Sequence, residues 1–143
     1  MTIEDYTAVY DLWVHTPGMG LNTADDSREG IAKYLMRNPS NCFVAEDDGV
    51  IAGAIMAGHD GRRGYIHHTA VKSGYSGRGI AGELVRLAVD ALEKEGINKV
   101  SLAVYSDNDS GNAFWEHMGF AERKDLVYRS RNIHEPEKIR VLL

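Results

Sequence analysis

Residues 73–82 read SGYSGRGIAG and contain a G-x-G-x-x-G of Gly77, Gly79 and Gly82, followed at once by an amphipathic run. Glycines at the mouth of a helix let backbone N–H groups close on a phosphate, and the helix N-terminus adds partial positive charge. Shortly upstream stand two adjacent histidines, His67 and His68, side chains suited to moving protons near neutral pH. The glycine pattern alone fits a dinucleotide, a nucleoside triphosphate or coenzyme A, and a purely structural turn fits it as well. The triphosphate reading fails first, because no Lys-Ser or Lys-Thr pair follows the glycines. In a dinucleotide-binding unit the first glycine follows its strand almost directly. Here KSGYS separates Val71 from Gly77, although Asp107 stands where a ribose-binding acid would. A nicotinamide-dependent (NAD) oxidoreductase therefore stays open as a minority reading.

Positioning these residues requires helices and strands, and the apolar period shows where they lie. Tyr6, Val9, Tyr10 and Trp13 recur at helical spacing within Thr2 to His15, before TPGMGL breaks the pattern. Asp25, Asp26 and Ser27 offer caps for a second helix through Ile31 and Leu35, ending before Pro39. The period then changes to two: Cys42 to Glu46 and Val50 to His59 form a hairpin around Asp48-Gly49, and Tyr65 to Val71 a third strand. Leu84, Leu87, Ala88, Ala91 and Leu92 stripe a helix over Ile80 to Glu95, which Gly96 stops. A strand over Lys99 to Val104, a helix over Asp109 to Met118 and a strand over Lys124 to Asn132 complete the list.

The 143 residues make one domain, 1–143, with a polar tail over 131–143. Lys+Arg 16 against Asp+Glu 21 give a net charge of -5, which argues against a nucleic-acid partner and favours a basic or amine-bearing one. One cysteine, Cys42, excludes an internal disulfide framework, and with no apolar leader at the start this points to the cytoplasm. Cys42 itself reads as a packing residue in its strand. No apolar run approaches the ~20 residues of a membrane span, so no membrane partner is expected. DNDSGN resembles a calcium loop only superficially, lacking the later glycine and closing glutamate, so no metal is expected.

HHTAV as a strand, GRGIAGELV opening a long helix, then a strand, Asn108 and FWEHMGF together resemble the GNAT superfamily of acetyl-CoA-dependent N-acyltransferases. The resemblance runs from about Tyr6 to Arg129. The family's Arg/Gln-x-x-Gly-x-Gly/Ala falls on Ser76, Gly79 and Ala81, and its second segment on Asn108, Phe114, Trp115, Gly119 and Phe120. GHDGRRGYIHHTAV looks closest to an uncharacterised bacterial branch. The resemblance implies an α/β (α+β) fold, a mixed, mainly antiparallel sheet flanked by helices, with the usual first strand missing or vestigial. It implies acetyl-CoA as acyl donor, its pantetheine arm paired with backbone groups of Thr69, Ala70 and Val71 where two strands splay. Ser76, in the implied cofactor-binding set, replaces the usual Arg or Gln, so some of the pyrophosphate binding passes to Arg78 and the backbone amides of Gly77 to Ala81, those of Gly79 and Ile80 included. Asn108 and Trp115 complete the implied cofactor set.

Acyl transfer to an amine needs a neutral nucleophile, a donor for the developing oxyanion and a proton for the leaving thiolate. The resemblance offers the Thr69 amide as the oxyanion donor. Neighbours on a strand point to opposite faces, so His67 and His68 are expected on opposite sides, one toward the acceptor cleft. Counting back from Val71 puts His67 and Tyr65 on the cleft side, which makes His67 the base candidate beside the alternative of a histidine satisfied within the sheet. Trp115 stands where the family commonly has a Tyr acid, and indole only donates hydrogen bonds. Trp115 therefore reads as packing under the cofactor, leaving Tyr105, Tyr128 or solvent to protonate the thiolate. The expected activity is acetyl transfer from acetyl-CoA to a primary amine, of a small molecule or a protein terminus, by direct attack. A non-catalytic acyl-CoA-binding or sensing domain is the alternative. The sheet edge that an absent first strand would cover also makes a homodimer an expectation.

Overall fold

The computed structural model describes residues 1–142, and its centre is a four-stranded sheet in the order β2-β3-β4-β5. Strands β2 (Phe43–Asp47), β3 (Val50–His59) and β4 (Gly64–Val71) are antiparallel neighbours, and β5 (Val100–Ser101) runs parallel to β4. The β2–β3 turn is the one the sequence announces: Asp48 and Gly49 both adopt positive φ, 48° and 80°, as a two-residue hairpin of matching twist requires. β3 is the sheet's central, apolar strand, with residues 52–58 all buried.

A short 3₁₀ turn, Ile3–Asp5, leads into α1 (Tyr6–Val14), which buries Val9, Leu12, Trp13 and Val14. α2 (Arg28–Arg37) is capped by Ser27, whose Oγ accepts from the Gly30 amide at 3.0 Å, and it buries Ile31 and Leu35. Both helices pack on one face of the sheet, in a core with Cys42, Ala54, Met56 and Ala70. α3 (Ile80–Lys94) covers the other face through Leu84, Val85, Ala88 and Leu92, against Ile55, Ala57 and Ile66. α4 (Asp109–His117) joins that second core through Phe114 and Trp115. Cys42 lies just before β2, 3% exposed, and its Sγ donates to the Ala57 carbonyl at 3.3 Å, in keeping with the packing role read for it.

Two expected strands differ. The run over Lys99 to Val104 contracts to β5, two residues long, because β4 stays beside it only at Gly64 and Tyr65. Lys124 to Asn132 forms no strand: Leu126, Val127 and Tyr128 are 61–79% exposed, and Arg123 bends back onto Asp125 in a two-bond ion pair. Alternating apolar residues become a strand only where a sheet edge receives them. An unforeseen pair replaces it: Lys138–Ile139 (β6) runs antiparallel to Leu21–Asn22 (β1) in the loop between α1 and α2. Two further bonds hold the same junction, Thr23 N to the Glu137 carbonyl and Leu142 N to the Val14 carbonyl.

Gly58 of β3 sits under the end of α2. A Cβ there would come within 2.5 Å of Asn38 Cγ and 2.6 Å of Tyr34 Oη. Asn38 cannot retreat freely, since its Oδ1 accepts from the His59 amide at 3.0 Å. Gly58→Ala is therefore expected to destabilise the fold by about 1–3 kcal/mol through overpacking. Urea unfolding reads this as a lower midpoint, and an unchanged midpoint would contradict the seating of α2 on β3.

Candidate active site

The site begins where two strands part. β4 and β5 pair at Gly64–Val100 and Tyr65–Ser101, with Gly64 N also donating to the Lys99 carbonyl at 2.9 Å. Beyond Tyr65 no strand among the described residues lies along that edge of β4. Strand backbone groups alternate between the two edges, so part of the Ile66–Val71 backbone is left to pair with something other than sheet. Thr69, Ala70 and Val71 lie on this stretch. Ala70 is buried in the α1/α2 core, and Thr69 Oγ1 is buried with no hydrogen-bond partner.

The open edge leads straight into the glycine loop. Lys72 N is tied to the Ala52 carbonyl at 2.7 Å and Tyr75 N to Lys72 at 3.0 Å, and the chain then passes through Gly74, Gly77 and Gly79 with φ of 91°, 79° and 77°. A Cβ at any of the three would meet nothing within 4 Å, so the strain of a substitution there would be backbone strain, beside open space. Gly79 is the N-cap of α3 and offers no capping side chain. The first N–H groups of a 15-residue helix, those of Ile80 and Ala81 among them, are thus available to an external acceptor. This cradle fits a pyrophosphate. Ser76 is exposed, and the Arg78 guanidinium lies 4.8 Å above the Tyr75 ring. Gly82, the third glycine of the motif, is inside α3 with Met118 Sδ 3.8 Å from its would-be Cβ, so it serves helix packing.

The histidines overturn one expectation. Ile55 pairs with Thr69 and Ala57 with Ile66, so Met56 alone stands opposite His67 and His68, a β-bulge with its extra residue in β4. The bulge turns both rings to the same face: His67 packs on Tyr34 of α2, ring centroids 5.3 Å apart, and His68 on Trp13 of α1, 4.8 Å apart. They nevertheless differ in surroundings. His67 remains exposed beside Tyr65, 4.7 Å away, and the rings that displace water from it lower its pKa below the ordinary 6.5, leaving a neutral imidazole at neutral pH. Burial raises the pKa of Tyr65, so its phenol stays protonated. His68 is locked by Asp26, Nε2 to Oδ1 2.6 Å, with side chains 16% and 4% exposed.

Asp26 is the residue that sequence reading passed over as one of three capping candidates. Ser27 alone caps α2. Asp26 Oδ2 instead accepts from the Asn22 amide at 2.8 Å, and its carbonyl from Tyr6 Oη at 2.7 Å. The surplus of cap-capable residues in DDS was the available signal that one of them had other work.

His67, Tyr65 and Tyr34 line one cavity of about 370 Å³, together with Arg37, Asp60 and Arg63. Tyr105 is elsewhere: it is 60% exposed, and its Oη lies 2.7 Å from where a Cβ on Gly20 would stand, so it meets the α1–β1 loop. Tyr128 is 79% exposed. Asn108 caps α4, Oδ1 accepting from Gly111 N at 3.0 Å, and its Nδ2 abuts Gly18 of the same loop. Trp115 stacks edge-on between Phe114 and Phe120, at 5.0 and 5.2 Å, in the α3/α4 core. Among the described residues no group of three His, Cys, Asp or Glu side chains converges as for a metal, and no helix is long and apolar enough to cross a membrane.

Residues 6–120 match the model of the acetyltransferase (GNAT) family. An acetyltransferase of Pectobacterium atrosepticum is 31% identical over 134 residues, and an uncharacterised N-acetyltransferase of Yersinia pestis 30% over 134, each alignment covering 94% of both chains. Among solved structures, the PaiA N-acetyltransferase of Thermoplasma acidophilum in complex with coenzyme A superposes with a TM-score of 0.71 at 19% identity, over 82% of this chain and 84% of that one. This likeness shows the fold, including the mixed sheet flanked by helices.

The Asp26–His68 pair carries a prediction of its own. Removing one partner strands the other in a nearly closed site, which costs about 1–3 kcal/mol. Asp26→Ala and His68→Ala should each lower the urea midpoint accordingly, and the double variant should lose less than the sum of both. Strict additivity would show that the two side chains do not act as a pair.

Proposed function

The chain belongs to the acetyltransferase (GNAT) family and is an acetyl-CoA-dependent acyltransferase, and from that premise we propose that it acetylates a primary amine by direct attack. One observation carries the reading: an unpaired strand edge runs without interruption into an uncapped, glycine-lined helix N-terminus. A pantetheine arm needs backbone partners and a pyrophosphate needs N–H donors and partial positive charge, in that order along the chain. Family membership replaces the dinucleotide reading, and Gly82 lies in the interior of α3, facing Met118 of the segment after α4.

In this proposal the amides of Gly77, Gly79, Ile80 and Ala81 hold the pyrophosphate, with Arg78 and Ser76 at the loop's outer side. Of Thr69, Ala70 and Val71, the alternation set by the Lys72–Ala52 bond turns Thr69 and Val71 to the open edge to pair with the pantetheine arm, Ala70 bonding β3 between them, and the Thr69 amide faces the thioester carbonyl. His67, neutral at neutral pH, takes the proton that the attacking amine loses as its nitrogen bonds to the carbonyl carbon and the C–S bond breaks. Tyr65 donates from the same cavity wall. Trp115 supports the cofactor from the α3/α4 core and releases no proton. The departing thiolate, with a pKa near ~8.5, takes its proton from solvent, Tyr105 being the side-chain alternative. Asn108 shapes the coenzyme side by fixing α4. Cytoplasmic residence fits the single buried thiol of Cys42. The outer edge of β2, which no strand of the described residues covers, is where a second copy would pair.

Gly79→Glu is expected to abolish acetyl-CoA binding while leaving a folded protein, since its carboxylate would stand in the phosphate space. The thermal shift with acetyl-CoA, compared with coenzyme A and NAD, reads this, because a ligand bound only by the native state raises stability by mass action. Undiminished acetyl-CoA binding by the folded variant would remove the phosphate-loop assignment.

His67→Ala should lower amine turnover near neutral pH by several-fold to about a hundredfold, with a smaller loss at high pH where solvent supplies neutral amine. The parent's profile should also fall on acidification below pH 6.5, where the lowered His67 pKa brings protonation of the base. A His67→Ala profile that tracks the parent at every pH sinks the base assignment. Acetyl-CoA binding without turnover on any amine would favour the sensing domain instead.

A further inference from the structure

The cavity beside His67 is also lined by Arg37, in the last turn of α2, and Arg63, in the β3–β4 turn. Among the described residues only Arg86, with Glu83 and Asp90, and Arg123, with Asp125, have carboxylate partners; what sets Arg37 and Arg63 apart from the other arginines is that both line the cavity that His67 lines. Among the described residues neither Arg37 nor Arg63 has a carboxylate partner within ion-pair distance. Arg37 is well placed to oppose the negative end of the α2 dipole, but that does not explain a second guanidinium arriving from a separate turn.

The other charged groups around the cavity do not neutralise the pair. Asp60 is the one carboxylate in its wall, and its Oδ1 is engaged by the Arg62 and Arg63 amides, at 2.8 Å each, which lowers its pKa and fixes the turn. His59 Nε2 lies 3.6 Å from Glu95. Two guanidinium groups therefore line the cavity against one lining carboxylate, while Asp25 and Asp26 put their negative charge on the His67 side. Tyr34, which also lines the cavity, keeps its Oη buried beside Gly58 without a partner, and burial pushes its pKa well up so that the phenol stays protonated.

We infer that the acceptor is a small amine that also carries a carboxylate or phosphate, its anion held by Arg37 and Arg63 and its amine directed to His67. This rests on the assignment of the His67 cavity as the acceptor site. Planar guanidinium forks suit both oxyanions, and a cavity of about 370 Å³ is of small-molecule size. An acceptor whose only charge is its ammonium meets like charge at the two guanidinium groups. An acceptor bearing an anion is drawn in by the same charge.

The test uses the full chain, acetyl-CoA and matched amines: β-alanine, phosphoethanolamine, β-alaninamide and putrescine. At least one of the two anionic amines is expected to exceed both others in kcat/KM by about tenfold or more, and their ratio tells carboxylate from phosphate. Arg37→Met and Arg63→Met should each raise KM for the preferred anionic amine by about tenfold with kcat within about twofold, and leave the acetyl-CoA thermal shift unchanged. Arg63→Glu should move preference toward putrescine, a change that a merely structural role would not produce. Turnover that favours β-alaninamide or putrescine in the parent, or indifference to both methionine variants, overturns this inference alone. Bound acetyl-CoA with no acetylation of any amine overturns both the inference and the activity on which it rests.

Discussion

Everything in this molecule that bears on chemistry follows from the early end of the β4–β5 pairing. Two registered pairs hold the strands together at the start of β4, and past Tyr65 the edge is free. A sheet edge with unsatisfied backbone groups is ordinarily a liability. Here it is flanked by the two features that make it useful, the bulge at His67–His68 on one side and the glycine loop on the other. The bulge and the open edge belong together, because the extra residue in β4 increases the local twist and turns the strand away from a neighbour that stays straight. The glycine loop joins the end of β4 to the start of α3, so it inherits its position from the same strand that offers the open edge.

The two histidines show how a one-residue irregularity redistributes roles. In a regular strand they would have been divided between the two faces of the sheet. With the bulge they share one face and are told apart by what packs on them: two tyrosine rings and an open cavity for His67, Trp13 and a buried carboxylate for His68. The first lines the cavity without a charged partner, and the second anchors the strand to α1 and to the turn before α2. Asp26 is the hub of that anchorage, joined through separate atoms to Asn22, Tyr6 and His68.

Much of this was legible in the residues themselves. The hairpin at Asp48-Gly49, the Ser27 cap, the amphipathic α3 and the glycine loop are local signals, each set by a few neighbouring residues whose conformational demands do not depend on the rest of the fold. What was not legible depends on distant partners. Lys124 to Asn132 has the alternation of a strand but no edge to join, while Lys138–Ile139, unremarkable in sequence, found one at Leu21–Asn22. The bulge left no mark in HHTAV, since its cause is the register against β3. Asp26 was visible but misassigned, because only the folded chain brings a residue of the second loop to a strand more than a helix and a hairpin away. The likeness to a known family supplied the expected coenzyme side and the strand position of His67 and Tyr65, whereas the company of Tyr34, Arg37 and Arg63 in one cavity with them is set by the fold alone.

The small β1–β6 pair ties the last described stretch of the chain to the loop between α1 and α2, with Thr23 and Val14 as further attachment points. That loop carries Gly18 and Gly20, which lie against Asn108 and Tyr105, and it runs on to the turn that holds His68 through Asp26. The stretch around Lys138–Ile139 is therefore built onto the loop between α1 and α2. Losing the Lys138–Ile139 ladder would loosen the loop that seats Asn108 and leads to the Asp26–His68 pair, so a contact made late in the chain helps hold a histidine on β4 in place.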